Sequence, residues 1–110
     1  MGKETRRFMR MLVFFDLPMV TKAERKSYTQ FRRFLLNDGY DMMQFSVYGR
    51  ILNGTDAEQK HTQRLTLNLP PAGSVRVLTV TEKQFASMKL MVGMPLFQEK
   101  QVNASQMLLF

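Results

Sequence analysis

Asp16 is the residue whose type and position most clearly permit chemistry. It is a single acid at the end of the apolar run from Met9 to Phe15, and Leu17 and Pro18 follow it. A carboxylate at the end of a strand can bind a hard cation such as Mg²⁺, which takes oxygen ligands and stabilises negative charge on phosphate. The alternative is that Asp16 caps a turn before Leu17 and Pro18. Both interpretations stay open at the level of sequence.

One carboxylate is too few for a metal site by itself. In a two-fold homodimer each chain would contribute one Asp16, and two carboxylates held close together resist joint ionisation unless a cation neutralises them. The metal interpretation of Asp16 therefore needs the two carboxylates that such a homodimer would supply.

The charge of the chain indicates a polyanionic partner. Its 110 residues include 16 Lys and Arg against 9 Asp and Glu, a formal net charge of +7. Cations placed on phosphates release condensed counterions, so nucleic acid is the leading candidate, ahead of an anionic membrane surface. No element has the residues of a base-reading helix, which favours contacts with the backbone. The candidate nucleic-acid-binding residues are Arg10, Lys22, Arg25, Lys26, Arg32 and Arg33. A solvated helix face is the alternative.

Several other chemistries lack their residues. The absence of Cys excludes disulfides, thiolate nucleophiles and Cys-based zinc sites. His61 is the single His, without ligands at metal spacing, and we expect it at the edge of the core. No apolar run approaches the roughly 20 residues that span a bilayer, and the N-terminus lacks the apolar core of a secretory signal. We therefore expect a cytoplasmic protein with no membrane partner.

The first half of the chain predicts a strand and a helix. Residues 9–15 are apolar at nearly every position, as in a buried strand. Thr21 and Glu24 have the spacing of a capping box, which predicts a helix beginning at Lys22. At 100° per residue one face of this helix is apolar, with Tyr28, Phe31, Phe34 and Leu35. The opposite face is cationic, with Lys22, Arg25, Lys26 and Arg33, and with Arg32 on its flank.

The second half predicts three strand regions and a helix. An apolar region over residues 42–51, kinked near Gln44 and Phe45, reads as a strand. Thr55 and Glu58 repeat the capping spacing before a helix that carries His61, Leu65 and Leu69 on one side. Residues 75–80 and 88–92 predict two further strands, joined through residues 82–85.

This order of elements predicts an α+β fold, a ferredoxin-like sheet with two helices on one face. We divide the chain into a basic N-terminal extension (1–8), a ferredoxin-like domain (9–93) and a C-terminal segment (94–110). The segment ends in apolar residues that would be unfavourable in water, and we expect them to add a strand to a sheet, at a dimer or partner interface. They are Met107, Leu108, Leu109 and Phe110.

The chain resembles the small CRISPR-associated adaptation proteins of the Cas2 family, and within it the type II-A branch. The similarity rests on five stretches in the same order along one domain. They are Phe15-Asp16-Leu17-Pro18, Phe31-Arg32-Arg33-Phe34-Leu35 with Gly39-Tyr40, Gln44-Phe45-Ser46-Val47-Tyr48, Val77-Leu78-Thr79-Val80-Thr81, and Val92-Gly93 with Gln98-Glu99-Lys100.

The resemblance implies a homodimer in which the C-terminal strand of each protomer joins the sheet of the other. Such a dimer bridges subunits of the integrase Cas1 and binds short double-stranded DNA for insertion as a new spacer. The resemblance also implies an alternative function, a Mg²⁺-dependent endonuclease with Asp16 as metal ligand and catalytic residue. Many family members have Tyr before this Asp, whereas Phe15 cannot donate a hydrogen bond to orient it. We therefore favour the scaffold, an integrase component without catalysis of its own.

Overall fold

Strand β1 (Phe8–Asp16) lies at the centre of a four-stranded antiparallel sheet in the computed structural model, which describes residues 8–93. It pairs on one side with β3 (Val47–Asn53) and on the other with β4 (Ser74–Thr81). Strand β2 (Asp41–Gln44) pairs with the outer edge of β3, so the strand order is β2-β3-β1-β4. This order, with two intervening helices, confirms the α+β, ferredoxin-like prediction.

Helices α1 (Lys22–Asn37) and α2 (Thr55–Leu67) pack on one face of the sheet. The core between them is rich in aromatic rings, and Phe15 meets Phe31 edge-on with 5.2 Å between ring centroids. Such tilted pairs add to the stabilisation from burying apolar area. The buried core residues are Met11, Val13, Phe15, Tyr28, Phe31, Leu35, Tyr40, Tyr48, Leu52 and Leu65.

Helix α1 begins at Lys22, as its capping box predicts. The Thr21 hydroxyl accepts a hydrogen bond from the Glu24 amide at 3.1 Å, and the Glu24 carboxylate accepts one from the Thr21 amide at 2.9 Å. The hydrogen bond from the Thr21 amide is the main reason that the pKa of Glu24 lies below its ordinary value. Tyr28, Phe31 and Leu35 are buried, which confirms the predicted apolar face.

The predicted single strand over residues 42–51 is wrong, because this region is a hairpin. Phe45 and Ser46 form the turn between β2 and β3, and Ser46 adopts the left-handed conformation with φ 68°. The ladder also slips between Met42 and Gln44, as in a β-bulge. The turn contains no Gly or Asn, the residues that usually mark such a reversal, and so the sequence indicates only a kink near Gln44 and Phe45 where the chain in fact reverses.

The predicted cap of the second helix is also wrong. Gly54 is the N-cap of α2 and no side chain caps the amides, because Thr55 already lies inside the helix. His61 and Leu65 are buried as expected, but α2 ends at Leu67 and leaves Leu69 exposed beyond it.

The predicted strand over residues 88–92 does not form. A short helix α3 (Glu82–Ala86) follows β4 directly, and its capping box pairs Thr81 with Gln84 in the same way as that of α1. The chain then runs to Gly93 without further strand structure among the described residues. The predicted exchanged strand and the end of the chain, residues 94–110, lie outside the described residues.

None of the helices among residues 8–93 is long and apolar enough to cross a membrane.

Candidate functional site

Asp16 ends β1 on the face of the sheet opposite to α1 and α2. Side chains alternate between the two faces of a strand, and Met11, Val13 and Phe15 point into the core. Alternation therefore places Asp16 on the other face. We call this the outer face, and it is formed by Phe8, Arg10, Leu12, Phe14 and Asp16 of β1 with Ile51 of β3 and Arg76, Leu78 and Val80 of β4.

The Asp16 carboxylate is presented to solvent. Its residue is exposed, and no donor among residues 8–93 makes a hydrogen bond or ion pair with its side chain. The alternative of a turn cap therefore has no side-chain hydrogen bond to support it within the described part of the chain. The loop before β4 approaches the Asp16 backbone so closely that only Gly fits at position 73, since a Cβ there would lie 2.6 Å from the Asp16 carbonyl oxygen.

Arg76 is the neighbour of Asp16 that sequence reasoning missed. It lies opposite Phe14 in the β1–β4 ladder, while Ser74 lies opposite Asp16. Arg76 is thus a diagonal neighbour of Asp16 on the outer face, at about 7–8 Å between backbones. An exposed acid and an exposed guanidinium at one end of the sheet can together bind a cation and a phosphate. Only the strand register reveals this pair.

The described residues supply one protein ligand for a metal ion at this place. Residues 8–93 contain no group of three His, Cys, Asp or Glu that could hold a metal. Mg²⁺ is usually bound by one or two carboxylates with several waters and substrate phosphate oxygens. The exposed Asp16 oxygen fits that role, and the described residues supply no second carboxylate beside it.

The cationic face predicted for α1 is present and exposed. Lys22, Arg25, Lys26, Arg32 and Arg33 are all exposed, and within residues 8–93 no carboxylate lies within 4.0 Å of their charged groups. One guanidinium nitrogen of Arg25 is already engaged, since it donates a hydrogen bond to the Val20 carbonyl oxygen at 2.6 Å. The face points away from the sheet, because Tyr28, Phe31 and Leu35 turn the other side of the helix to the core.

Arg10 is not part of this cationic face. It lies on the outer face of β1, where its guanidinium donates to both carboxylate oxygens of Glu82 at 2.8 and 3.1 Å. Its guanidinium carbon also lies 4.3 Å from the ring centroid of Phe85. Arg10 is therefore separated from the α1 cations by the sheet and is engaged with α3.

His61 belongs to a buried ionic cluster that links α1 to α2. Its Nδ1 lies 2.8 Å from one carboxylate oxygen of Asp38, and Arg64 donates to the other at 2.8 Å. Burial alone would raise the pKa of Asp38, but the hydrogen bonds and charges of His61 and Arg64 outweigh it, so that this pKa lies below its ordinary value. Among residues 8–93 no hydrogen bond joins this cluster to Asp16, and His61 is buried, as expected for a histidine at the edge of the core.

The outer face also carries apolar side chains. Leu12 is buried there, although it is not part of the core beneath the helices, and Ile51 and Leu78 remain exposed. The predicted interface residues Met107, Leu108, Leu109 and Phe110 lie outside the described residues.

Comparison with known proteins identifies the family of the chain. A model of the family described as CRISPR associated protein Cas2 matches residues 9–88. A relative from Acidovorax ebreus (strain TPSY), named CRISPR-associated endoribonuclease Cas2, is 81% identical over 93% of this chain and all of that protein.

Two more distant relatives carry the same name. The protein from Campylobacter jejuni is 43% identical over 94% of this chain and 73% of its own length. The protein from Streptococcus mutans serotype c is 48% identical over 77% of this chain and 78% of its own length. The family model and these identities show that the chain belongs to the CRISPR-associated Cas2 family.

Proposed function

We propose that this chain is a homodimeric scaffold of CRISPR adaptation in the cytoplasm. Its partners are then the integrase subunit Cas1 and the backbone of short double-stranded DNA destined to become a spacer. The observation that carries the proposal is that the exposed cations of α1 and the partly apolar outer face lie on opposite sides of one sheet. If two copies meet through their outer faces, both cationic helices point outward.

The α1 face suits a phosphate backbone better than a base edge. It offers Lys and Arg side chains along 16 residues of helix, which extend over about 24 Å at 1.5 Å per residue. Phosphate contacts of this kind fix the position of a duplex without reading its sequence. Arg32 and Arg33 lie in the second half of the helix in the proposed footprint, with Lys22, Arg25 and Lys26 nearer its start.

A second function, Mg²⁺-dependent endonuclease, is favoured by the Asp16 end of the outer face. Contact between two outer faces would bring two Asp16 residues toward one another, with an Arg76 beside each. When bound, Mg²⁺ would stabilise charge on the scissile phosphate and activate water. Asp16 would hold the ion, and Arg76 would hold a phosphate oxygen. The names of the relatives, which include the word endoribonuclease, support this candidate.

The deciding experiment is integration of a short DNA duplex into a leader-repeat target by the cognate Cas1. It compares wild-type protein with Asp16→Ala and Asp16→Asn, after size-exclusion chromatography has verified dimer and complex. Integration that requires the protein but tolerates both changes supports the scaffold. Loss of integration with both variants, in intact complexes, contradicts it and moves the carboxylate to the centre of the function. Cleavage of single-stranded RNA in Mg²⁺ and in EDTA tests the nuclease separately.

The footprint on DNA is tested by salt dependence. Each phosphate contact contributes about 0.9 to the slope of log K against log salt concentration, so Arg32→Ala with Arg33→Ala should lower the slope by about 1.8 per bound protomer. Lys83→Ala with Lys89→Ala removes two exposed cations after β4 and should leave the slope unchanged. A slope that does not respond to the Arg32 and Arg33 changes excludes these arginines from the footprint.

A further inference from the structure

Phe45 presents an aromatic ring to solvent at the tip of the β2–β3 hairpin. The residue is 70% exposed. Its ring nevertheless has a fixed support, because it stacks on Tyr28 of α1 with 6.0 Å between centroids and 25° between planes. Tyr28 is only 8% exposed, and it packs in turn against Phe15. One face of the Phe45 ring therefore rests on the core, and the other is open.

The backbone around Phe45 is unusual in a way that aims the side chain. Ser46 has φ 68°, a conformation that costs a residue other than Gly about 1–2 kcal/mol. The bulge between Met42 and Gln44 precedes it, and bulges redirect side chains next to functional sites. The Ser46 carbonyl oxygen accepts a hydrogen bond from the Phe15 amide at 3.1 Å, which fixes the turn to the end of β1. Strained turns of this kind cluster where a side chain must be held for function.

Two arginines of α1 lie near the support of the ring. Arg25 and Arg32 lie one helical turn before and after Tyr28, so both flank the support of the Phe45 ring. The charge of Arg32 also reaches the core, since burial raises the pKa of Tyr48 and nearby Arg32 partly opposes that rise. A ligand that suits this place combines a flat, uncharged ring with a negative charge a few ångströms away. A nucleotide has both.

We propose that Phe45 is a stacking platform for an unpaired base of single-stranded nucleic acid. The base lies on the open face of the ring, and the phosphates on either side of it contact Arg32 and its neighbours on α1. Stacking on an aromatic side chain is open to every base, because each has a π-face, but only when that base is not already stacked within a duplex. The inference rests on the proposed function in one respect, namely that the α1 cations bind phosphate.

The position of Phe45 also indicates the path that a bound strand would follow over the surface. Because Ser46 is bonded to Phe15, the hairpin tip lies beside the end of β1, one residue from Asp16. A strand held by Phe45 and Arg32 on the helix side of the sheet can therefore continue past this end toward Asp16 and Arg76. The site thus takes the single-stranded end of a DNA duplex or a single-stranded RNA, and the two sources share the same base and phosphate chemistry.

The test uses oligonucleotides of one sequence with 2-aminopurine at a single position, as single-stranded RNA, single-stranded DNA and blunt DNA duplex. Wild-type protein is compared with Phe45→Ala, Phe45→Leu and Phe45→Trp, and with Leu67→Ala as a control for loss of an exposed apolar side chain on α2. Binding is followed by anisotropy and stacking by quenching of 2-aminopurine. Sedimentation velocity of each variant reports the oligomeric state.

We expect Phe45→Ala and Phe45→Leu to weaken single-strand binding by about 5- to 150-fold and to abolish quenching, because stacking contributes that much per base. Phe45→Trp and Leu67→Ala should bind like wild type, and the duplex affinity of every variant should be unchanged. If Phe45→Leu keeps the single-strand affinity, the ring does not act by stacking and the inference fails. The inference also fails if the weaker binding of Phe45→Ala is explained by a change in its oligomeric state, as sedimentation velocity would show. If the wild-type protein does not bind the DNA duplex, the proposed function fails as well as the inference.

Discussion

Asp38 joins the end of α1 to α2, and its replacement by Ala tests whether this buried cluster stabilises the fold. The change removes two charge-assisted hydrogen bonds of 2.8 Å from a carboxylate that is only 7% exposed. Each such bond contributes roughly 1.5–3 kcal/mol. Arg64 is about half exposed and recovers water when its partner is lost, so only the His61 bond counts in full. We expect the free energy of unfolding to fall by about 2–3 kcal/mol at neutral pH.

The loss should depend on pH in one direction. The folded protein holds the pKa of Asp38 below the ordinary value of 3.8, so the stabilisation is present above that value and disappears as the pH falls through the folded pKa. The difference between wild type and Asp38→Ala should therefore be fully developed at pH 5 and shrink in more acidic solution.

Urea unfolding followed by circular dichroism measures both effects. Asp41→Ala serves as the control, because Asp41 is an exposed acid at the start of β2 and should change stability by less than about 0.5 kcal/mol. If Asp38→Ala unfolds within about 0.5 kcal/mol of wild type at pH 7, or if the difference grows as the pH falls below 3.8, the reasoning from this cluster is refuted.

Two further predictions concern the loop before β4 and the end of the chain. Gly73→Ala should lower the free energy of unfolding by about 1–3 kcal/mol, measured by thermal unfolding. The reason is that φ is +95° and that the new Cβ would meet the Asp16 carbonyl oxygen. Gly54→Ala has nearly the same φ but open space, so equal losses would show that the close approach contributes nothing. Deleting residues 107–110 should shift the proposed dimer toward monomer, since it removes an apolar end. A truncated dimer that remains intact by light scattering at low concentration contradicts this.

Much of the fold could be predicted from sequence where local interactions determine it. The Thr21 and Glu24 capping box and the apolar spacing of α1 lie within a few turns of one another, and both were confirmed. The same spacing misled at Thr55, because Gly54 adopts a conformation that carries the chain into α2 one residue earlier. Thr81 and Gln84 have the same spacing as Thr21 and Glu24, and they form the capping box at which α3 begins.

The site was less predictable, because it depends on contacts between distant parts of the chain. Arg76 becomes a neighbour of Asp16 only through the register of β4 against β1, and this register cannot be read from either strand alone. The sequence predicts a kinked strand around Phe45, because no residue there marks the turn that Ser46 makes with its positive φ. Alternation with Met9 and Met11, by contrast, places Arg10 on the outer face. Its positive charge alone groups it with the cations of α1.

The pairing of Arg10 with Glu82 and Phe85 has a consequence for how such a basic molecule could approach its own copy. Two bodies of charge +7 repel one another at long range, and the repulsion is least where the facing surfaces carry the least uncompensated charge. On the outer face Arg10 is paired with Glu82 and Arg76 lies diagonal to Asp16, whereas among residues 8–93 the five cations of α1 have no carboxylate within 4.0 Å. In the proposed dimer, contact through the outer faces would bring together the sides on which Arg10 and Arg76 have acidic neighbours, and it would leave the cations of α1 for a polyanion.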